Sequence, residues 1–190
     1  MQKQRCAWCG DDPLYVVYHD NEWGVPVKED NTLFEFLLLE TFQAGLSWVT
    51  ILRKRENFRK AFDDFDYQKI ANYSEEKIAS LLEDSGIIRN KLKVRSAVTN
   101  AQLFIEIQKE FGSFSKYIWK FVDGKPIQNK WKNLSDCPAN TTLSDAISKN
   151  LKKRGFKFVG STVIYAYMQA TGMVNDHITS CFRYNEIKNL

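Results

Sequence analysis

Apolar residues follow a helical spacing along most of the chain, and no segment shows the sustained alternation that is typical of a β-strand. The run from Leu33 to Leu39 is dense enough for a buried helix, which Gly45 should break or bend. Helical patterns resume at Trp48 and recur across residues 78–82, 94–105, 113–121, 143–154 and 159–171. We therefore predict an all-α fold.

Capping residues set the expected helix boundaries. Ser74 can cap a helix that ends near Gly86, where we expect a glycine in the left-handed conformation. Residues 82–95 thus have the pattern helix, tight turn, helix. The segment from Thr142 to Asp145 resembles a capping box, with aspartate in place of glutamate.

Three other segments have less regular patterns. Residues 1–31 should be irregular apart from one short helical turn, and residues 123–141 should form a loop, because both contain glycine and proline. A last short helix, capped by Asp176, is expected to carry His177 and Cys181.

Length and composition narrow the class of protein. A chain of 190 residues corresponds to one domain, or to one domain with two lobes. Hydrophobic residues make up 44% and charged residues 26%, which argues against disorder. The longest apolar run, Val163–Met168, is far shorter than the ~18 residues that span a membrane. No apolar segment follows the N-terminal residues, so we expect no signal peptide, no membrane partner and a cytosolic protein.

The positive charge is concentrated in three blocks. Lysine and arginine exceed aspartate and glutamate by only 27 to 23, but they cluster at residues 53–60, 89–95 and 149–157. The simplest interpretation of any one block is a solvated helix face. The block at 89–95 lies at the start of a helix, where free backbone N–H groups also attract phosphate. Together, the blocks favour a duplex backbone over a small anion as partner.

Cysteine and histidine residues near the two chain ends suggest a metal site. His177 and Cys181 are four residues apart, so on a helix both can reach one ion. The spacing of Cys6 and Cys9 favours them as the other two ligands, with Cys6 and His19 as the second choice. The alternative is that no metal binds, the cysteines are free thiols and the two histidines are ordinary polar residues. A zinc ion with four protein ligands would be structural, because a catalytic zinc keeps one position open for water. Such a site would join the two ends of the chain.

Glu40 and a set of aromatic residues suggest a binding pocket. Glu40 ends the apolar run Phe36–Leu39, where an ionised carboxylate is costly unless it has a partner. It either points into water or lies in an apolar pocket as a base or a hydrogen-bond acceptor. Four aromatic residues crowd the N-terminal segment and can stack on a planar heterocycle: Trp8, Tyr15, Tyr18 and Trp23.

Several sequence blocks that together span nearly the whole chain carry a family resemblance. They are Asp12-Pro-Leu-Tyr15, Tyr18-His-Asp-Asn-Glu-Trp-Gly-Val-Pro26, Gln43-Ala-Gly-Leu-Ser-Trp48, Gly86-Ile-Ile-Arg89, Leu151-Lys-Lys-Arg-Gly-Phe-Lys-Phe-Val-Gly160 and Val174-Asn-Asp-His177. In this order they resemble the bacterial DNA-3-methyladenine glycosylase I family, the helix–hairpin–helix enzymes of base excision repair. The resemblance implies an all-α helix–hairpin–helix fold with a zinc site that joins the N- and C-terminal segments.

The resemblance also implies the ligands of that zinc. The implied set is Cys6, His19, His177 and Cys181. His19 thus replaces Cys9 as the predicted ligand, and Cys9 lies outside the family's pattern. The zinc is implied to be structural.

A base pocket is implied as well. Glu40 and Tyr18 are implied to hydrogen-bond the adenine edge, and Trp48 to stack on the base, with Trp8 and Trp23 nearby. Glu40 is then the catalytic residue, because an anionic carboxylate favours a base that carries positive charge.

DNA contacts are implied at two turns. Leu46, at the Gly45 break, resembles the residue that fills the gap left by the flipped base. The hairpin at Gly86 is implied to hold the DNA backbone with Arg89 and Lys91, although the turn lacks the second glycine that many such hairpins have.

The implied reaction is hydrolysis without strand cleavage. Adenine methylated at N3 carries positive charge and leaves as a neutral base, so no general acid is required. Bifunctional relatives carry a lyase lysine just after the hairpin glycines, whereas the fourth residue past Gly86 here is Asn90. We expect residues 1–190 to form a single catalytic domain of two helical lobes with the base pocket between them. It should act as a monomer on double-stranded DNA with alkylated bases, releasing 3-methyladenine and leaving an abasic site.

Overall fold

The computed structural model describes residues 3–190 and confirms the all-α prediction for them. The helices are α1 (Pro13–Asn21), α2 (Asp30–Gln43), α3 (Trp48–Ala61), α4 (Tyr67–Ile70), α5 (Glu75–Glu83), α6 (Lys91–Phe111), α7 (Phe114–Trp119), α8 (Thr142–Arg154), α9 (Ser161–Ala170) and α10 (Phe182–Lys188). Short 3₁₀ turns cover Ala7–Cys9, Asp63–Phe65, Lys120–Val122 and Leu134–Asp136. None of the helices in this range is long and apolar enough to cross a membrane.

Helix α2 is the centre of the core. It packs against α3, α6, α7 and α9, and Leu33, Leu37 and Leu39 are completely buried. Each such leucine contributes about 2 kcal/mol of hydrophobic stabilisation. Because neighbours surround α2, the inward position at its C-terminal end is also buried, and that position is Glu40.

Helix α1 corrects the prediction that residues 1–31 are irregular. Asp12 is its N-cap and accepts hydrogen bonds from the backbone N–H groups of Leu14 and Tyr15. Pro13 occupies the first helical position, where its missing N–H costs nothing. The proline that suggested a break therefore starts the helix. The helix brings Tyr18 and His19 into the interior.

The turn between α5 and α6 matches the predicted pattern, but Gly86 has a different role. Helix α5 starts after its N-cap Ser74, as predicted, and ends at Asp84, whose side chain accepts the Gly86 N–H at 2.7 Å. Gly86 does not adopt the left-handed conformation. Instead, a Cβ at this position would lie 3.2 Å from Asn57 on α3 and 2.9 Å from Asp84. A larger residue at Gly86 would therefore crowd the Asp84 and Asn57 side chains.

The last predicted helix starts later than expected. Residues 176–181 form a turn, and α10 begins after Cys181. A two-residue strand, β2 (Val174–Asn175), precedes the turn and pairs in parallel with β1 (Ile127–Gln128). Strands this short leave no alternation in the sequence. The cap of α8 is also displaced by one residue, because Thr141 forms the capping box with Ser144.

Gly172 follows α9 and allows two segments to touch. Its φ is +69°, and a Cβ there would lie 2.4 Å from the backbone carbon of Val25. The backbone N–H of Gly24 donates to the carbonyl of Gln169 at 3.1 Å. These contacts hold the segment after α1 against the end of α9, which brings the two chain ends together.

Candidate active site

A cavity of about 240 Å³ lies where the N-terminal segment, α2, the start of α3 and α9 meet. Its lining is predominantly aromatic and amide in character. The lining residues are Trp8, Tyr15, Tyr18, Trp23, Glu40, Gln43, Trp48, Leu134, Cys137, Ala166, Gln169 and Asp176. The structure therefore brings together the five residues that the sequence predicted for base binding. A cavity of this kind suits one planar heterocycle.

Glu40 is buried in this cavity and does not point into water. Its relative exposure is 3%, and its Oε2 atom has no hydrogen-bond partner among the described residues. Burial raises the pKa of Glu40 to about 8 because the ionised carboxylate loses its hydration. An unpaired buried carboxylate in a cavity suits a ligand that brings a donor or a positive charge.

The aromatic residues of the cavity include two pairs of neighbouring rings. The Tyr18 and Trp48 rings are 5.6 Å apart, and those of Trp8 and Trp23 are 4.9 Å apart in an edge-on arrangement. The indole N–H groups of Trp8 and Trp48 are buried without partners among the described residues. Burial, with Glu40 nearby as a second cause, raises the pKa of Tyr18 well above its usual value. Tyr18 is thus a neutral hydrogen-bonding group.

The turn between α2 and α3 lies at the rim of the cavity. Gly45 has a φ of +83°, which favours glycine, and Leu46 after it is 40% exposed. The ammonium of Lys93 on α6 donates to the carbonyls of Phe42 and Ala44 at 2.8 and 2.6 Å. Lys93 thereby fixes the turn that presents Leu46.

Much of the predicted basic surface is engaged in internal contacts. In the block at 89–95, Lys93 is buried, whereas Arg89 and Lys91 are exposed. In the block at 53–60, Arg55 and Arg59 both donate to the buried carboxylate of Glu35. The blocks at 53–60 and 89–95 are therefore poor indicators of a DNA surface when taken whole, and only their exposed members remain candidates.

Four buried residues form a cluster at the chain ends. The ligand atoms of Cys6, His19, His177 and Cys181 lie within 4.8 Å of one another. The Cys9 thiol instead donates to the Cys6 carbonyl at 3.1 Å, so the structure groups His19, and not Cys9, with Cys6. The prediction that His177 and Cys181 share a helix was wrong, because the turn at 176–181 brings them together.

Hydrogen bonds from both histidines to neighbouring acceptors fix the orientation of their rings. Asp20 accepts from Nδ1 of His19 at 2.8 Å, and the Trp23 carbonyl accepts from Nε2 of His177 at 3.0 Å. Arg5 holds Asp20 with a salt bridge of 2.7 Å.

Sequence reasoning missed the C-terminal wall of the cavity. Leu134, Cys137, Gln169 and Asp176 line it, whereas the sequence suggested only a capping role for Asp176. The block Val174–His177, which contains Asp176, was the one signal that pointed to this wall. Leu134 and Cys137 come from one loop and Gln169 from α9, and only the fold brings these segments together.

The helical fold and the aromatic cavity with its buried carboxyl group define a protein with a site that fits a planar base. Residues 8–184 match the sequence model described as methyladenine glycosylase. The chain belongs to the methyladenine glycosylase family, and the resemblance found in its sequence is confirmed.

Relatives match the chain over nearly its full length. It is 48% identical to the DNA-3-methyladenine glycosylase 1 of Escherichia coli (strain K12) over 181 residues, which cover 95% of this chain and 97% of the relative. A crystal structure of a 3-methyladenine DNA glycosylase I is 50% identical with a TM-score of 0.92, covering 94% of this chain and 98% of that one. Another, a variant in complex with 3-methyladenine, is 36% identical with a TM-score of 0.91, covering 94% and 96%.

Proposed function

We infer that this protein is a DNA glycosylase that hydrolytically excises 3-methyladenine and acts in DNA repair. The observation that carries this function is Glu40, a buried and unpaired carboxylate in an aromatic cavity of a methyladenine glycosylase family member. The relatives named above act on the same base by name, and one was crystallised with it.

The chemistry follows from the charge of the damaged base. Methylation at N3 makes the adenine cationic, which weakens the bond to the sugar, and the base leaves neutral. The nucleotide must first leave the duplex, at a cost of a few kcal/mol. Glu40 ionises more readily beside a cation and then stabilises the positive charge, while Trp48 and Tyr18 hold the ring. Water attacks the sugar carbon and leaves an abasic site.

We propose that strand cleavage does not follow. A lyase needs a free amine near the sugar, and among the described residues the lining of the cavity contains no lysine. Asn90 uses its side chain to cap α6, accepting from the backbone N–H groups of Leu92 and Lys93. Lys93 is engaged with two carbonyls.

For DNA binding we propose a single catalytic domain of two helical lobes with the pocket between them. Helices α5 and α6 serve as the helix–hairpin–helix, with Gly86, Arg89 and Lys91 at the backbone of an alkylated duplex. Leu46 fills the gap left by the flipped nucleotide. The exposure of Leu46 beside the cavity supports this arrangement. We propose that the protein acts as a monomer.

We propose that Cys6, His19, His177 and Cys181 hold a structural zinc ion. Zinc bonds of ~2.3 Å to sulfur and ~2.05 Å to nitrogen in a tetrahedron place the two kinds of ligand about 3.6 Å apart. The distances from sulfur to nitrogen are 3.6 Å for Cys6 with His177, and 3.5 Å for Cys181 with each histidine. The outer ring nitrogens of the two histidines donate hydrogen bonds to Asp20 and to the Trp23 carbonyl, an arrangement that suits zinc-bound histidines.

Metal analysis of matched variants tests the zinc. We expect one zinc per chain in the wild type and in Cys9→Ala, and loss of zinc with a lower Tm in Cys6→Ala. Equal zinc loss in both variants would contradict the ligand set. If a chelator abolished turnover while the fold stayed intact, the structural role would be wrong.

Excision from methylated duplex DNA tests the function. We expect the wild type to release 3-methyladenine. Glu40→Gln should bind DNA almost normally and release the base about 100-fold more slowly, because a neutral amide does not stabilise the cation. Unchanged excision by Glu40→Gln would remove Glu40 from the reaction.

A further inference from the structure

Asp176 is the centre of a hydrogen-bond network in the C-terminal wall of the cavity. Its side chain is buried, with a relative exposure of 4%, and five donors converge on its two oxygens. The donors are Asn129 Nδ2 (2.6 Å) and Trp131 Nε1 (2.8 Å) on Oδ1, and Tyr165 OH (2.6 Å), Gln169 Nε2 (2.8 Å) and Cys137 Sγ (3.4 Å) on Oδ2. The network fixes the loop at 129–137 and α9 to each other.

This network determines which way the Gln169 amide faces. A carboxylate accepts hydrogen bonds, so the nitrogen of Gln169 must face Asp176. The same nitrogen also donates to the Cys137 sulfur at 3.4 Å. The amide oxygen is therefore directed away from Asp176, and no described residue donates to it. Gln169 lines the cavity and is half-buried.

Gln43, the other glutamine in the lining, differs in this respect. No described residue makes a hydrogen bond to its side chain, so its amide can present either its oxygen or its nitrogen. Gln169 has one orientation, and both its free amide oxygen and the unpaired Glu40 carboxyl belong to residues that line the cavity.

We propose that Gln169 is a specificity-determining residue whose amide oxygen accepts one N–H of the exocyclic amine of the base, and that Asp176 is its positioning residue. The amine of 3-methyladenine carries two N–H donors, and Glu40 accepts the other. A base with a carbonyl in place of the exocyclic amine brings its oxygen against the amide oxygen of Gln169. Both atoms are hydrogen-bond acceptors, so such a base is rejected. This inference rests on the proposed function.

Binding of two free bases tests the proposal. The ligands are 3-methyladenine and 3-methylhypoxanthine, which has a carbonyl in place of the amine. Quenching of tryptophan fluorescence reports binding, because Trp8, Trp23 and Trp48 line the cavity. Gln169→Met should weaken 3-methyladenine binding about 10-fold and leave 3-methylhypoxanthine binding unchanged or tighter.

Two further variants separate orientation from folding. Asp176→Asn can donate to Gln169 and lets its amide turn, so it should lose the same preference, with no further loss in the double variant. Cys137→Ala keeps the 2.8 Å bond between Asp176 and Gln169 and should keep the preference. Tm and zinc content of every variant establish that the fold is intact.

The outcomes distinguish this proposal from the proposed function. If the wild type excises and binds 3-methyladenine but Gln169→Met keeps the full preference, the proposal is wrong and the function stands. A preference that falls equally in Cys137→Ala would also overturn it. A wild type that releases no 3-methyladenine from methylated DNA would overturn both.

Discussion

Replacing Glu40 with glutamine should stabilise the folded protein, by an amount that grows with pH. The physical reason is the burial of the carboxyl group, which raises its pKa from 4.5 to about 8. Between these two values the folded chain keeps the proton while the unfolded chain releases it. Rising pH therefore favours unfolding of the wild type, whereas a glutamine has no proton to release.

The magnitude follows from the size of the shift. Each pH unit between the two pKa values lowers the free energy of unfolding of the wild type by about 1.4 kcal/mol relative to Glu40→Gln. The advantage of the variant should be near zero at pH 4, roughly 3 kcal/mol at pH 7, and constant at roughly 5 kcal/mol above pH 8. The full value applies because Glu40 is almost completely buried.

Urea unfolding of both proteins at several pH values between 5 and 9 measures this difference. Taking the difference at each pH cancels the contributions of all other titrating groups. Glu83→Gln is the matched control, because it makes the same change of side chain at an exposed position at the end of α5. A Glu40→Gln difference that is constant from pH 5 to 8 would refute the assignment of a raised pKa.

Other predictions concern the turn and the DNA surface. Lys93→Met should lower the free energy of unfolding by about 2 kcal/mol in urea unfolding, because it removes the donor to the carbonyls of Phe42 and Ala44; an unchanged value would contradict this. Leu46→Ala should keep the wild-type Tm and lower excision from duplex DNA about 10-fold, with unchanged binding of the free base. Equal losses of excision and of free-base binding would indicate that Leu46 contacts the base in the pocket and does not fill the gap in the duplex. Arg89→Ala should weaken DNA binding uniformly across sequences and lower the salt slope by about 1; an unchanged slope would place the phosphate contact elsewhere.

The parts of the fold that depend on local pattern were predictable. The run from Leu33 to Leu39 indicated a buried helix because α2 has neighbours on several sides, and Ser74 marked the start of α5 because capping is a local interaction. Helix α1 was predicted as only one short turn because glycine and proline residues in 1–31 indicated irregular backbone, although the first helical position tolerates proline.

The parts that depend on distant packing were not predictable from spacing. His19 joins Cys6, His177 and Cys181 only because α1 folds against the turn at 176–181. Spacing therefore ranked Cys9 ahead of His19, and the family resemblance reversed that order. The role of Gln169 depends on donors and acceptors from three segments, and no pattern in one segment contains that information.

The glycosylase activity is tested most directly by incubating the pure protein with a DNA duplex that carries 3-methyladenine on one labelled strand. Free base is measured by chromatography, and strand integrity is measured on the same sample before and after alkali. We predict release of 3-methyladenine with an intact strand that breaks only on alkali treatment. Absence of free base would contradict the assigned activity, and a strand broken before alkali would contradict hydrolysis without cleavage.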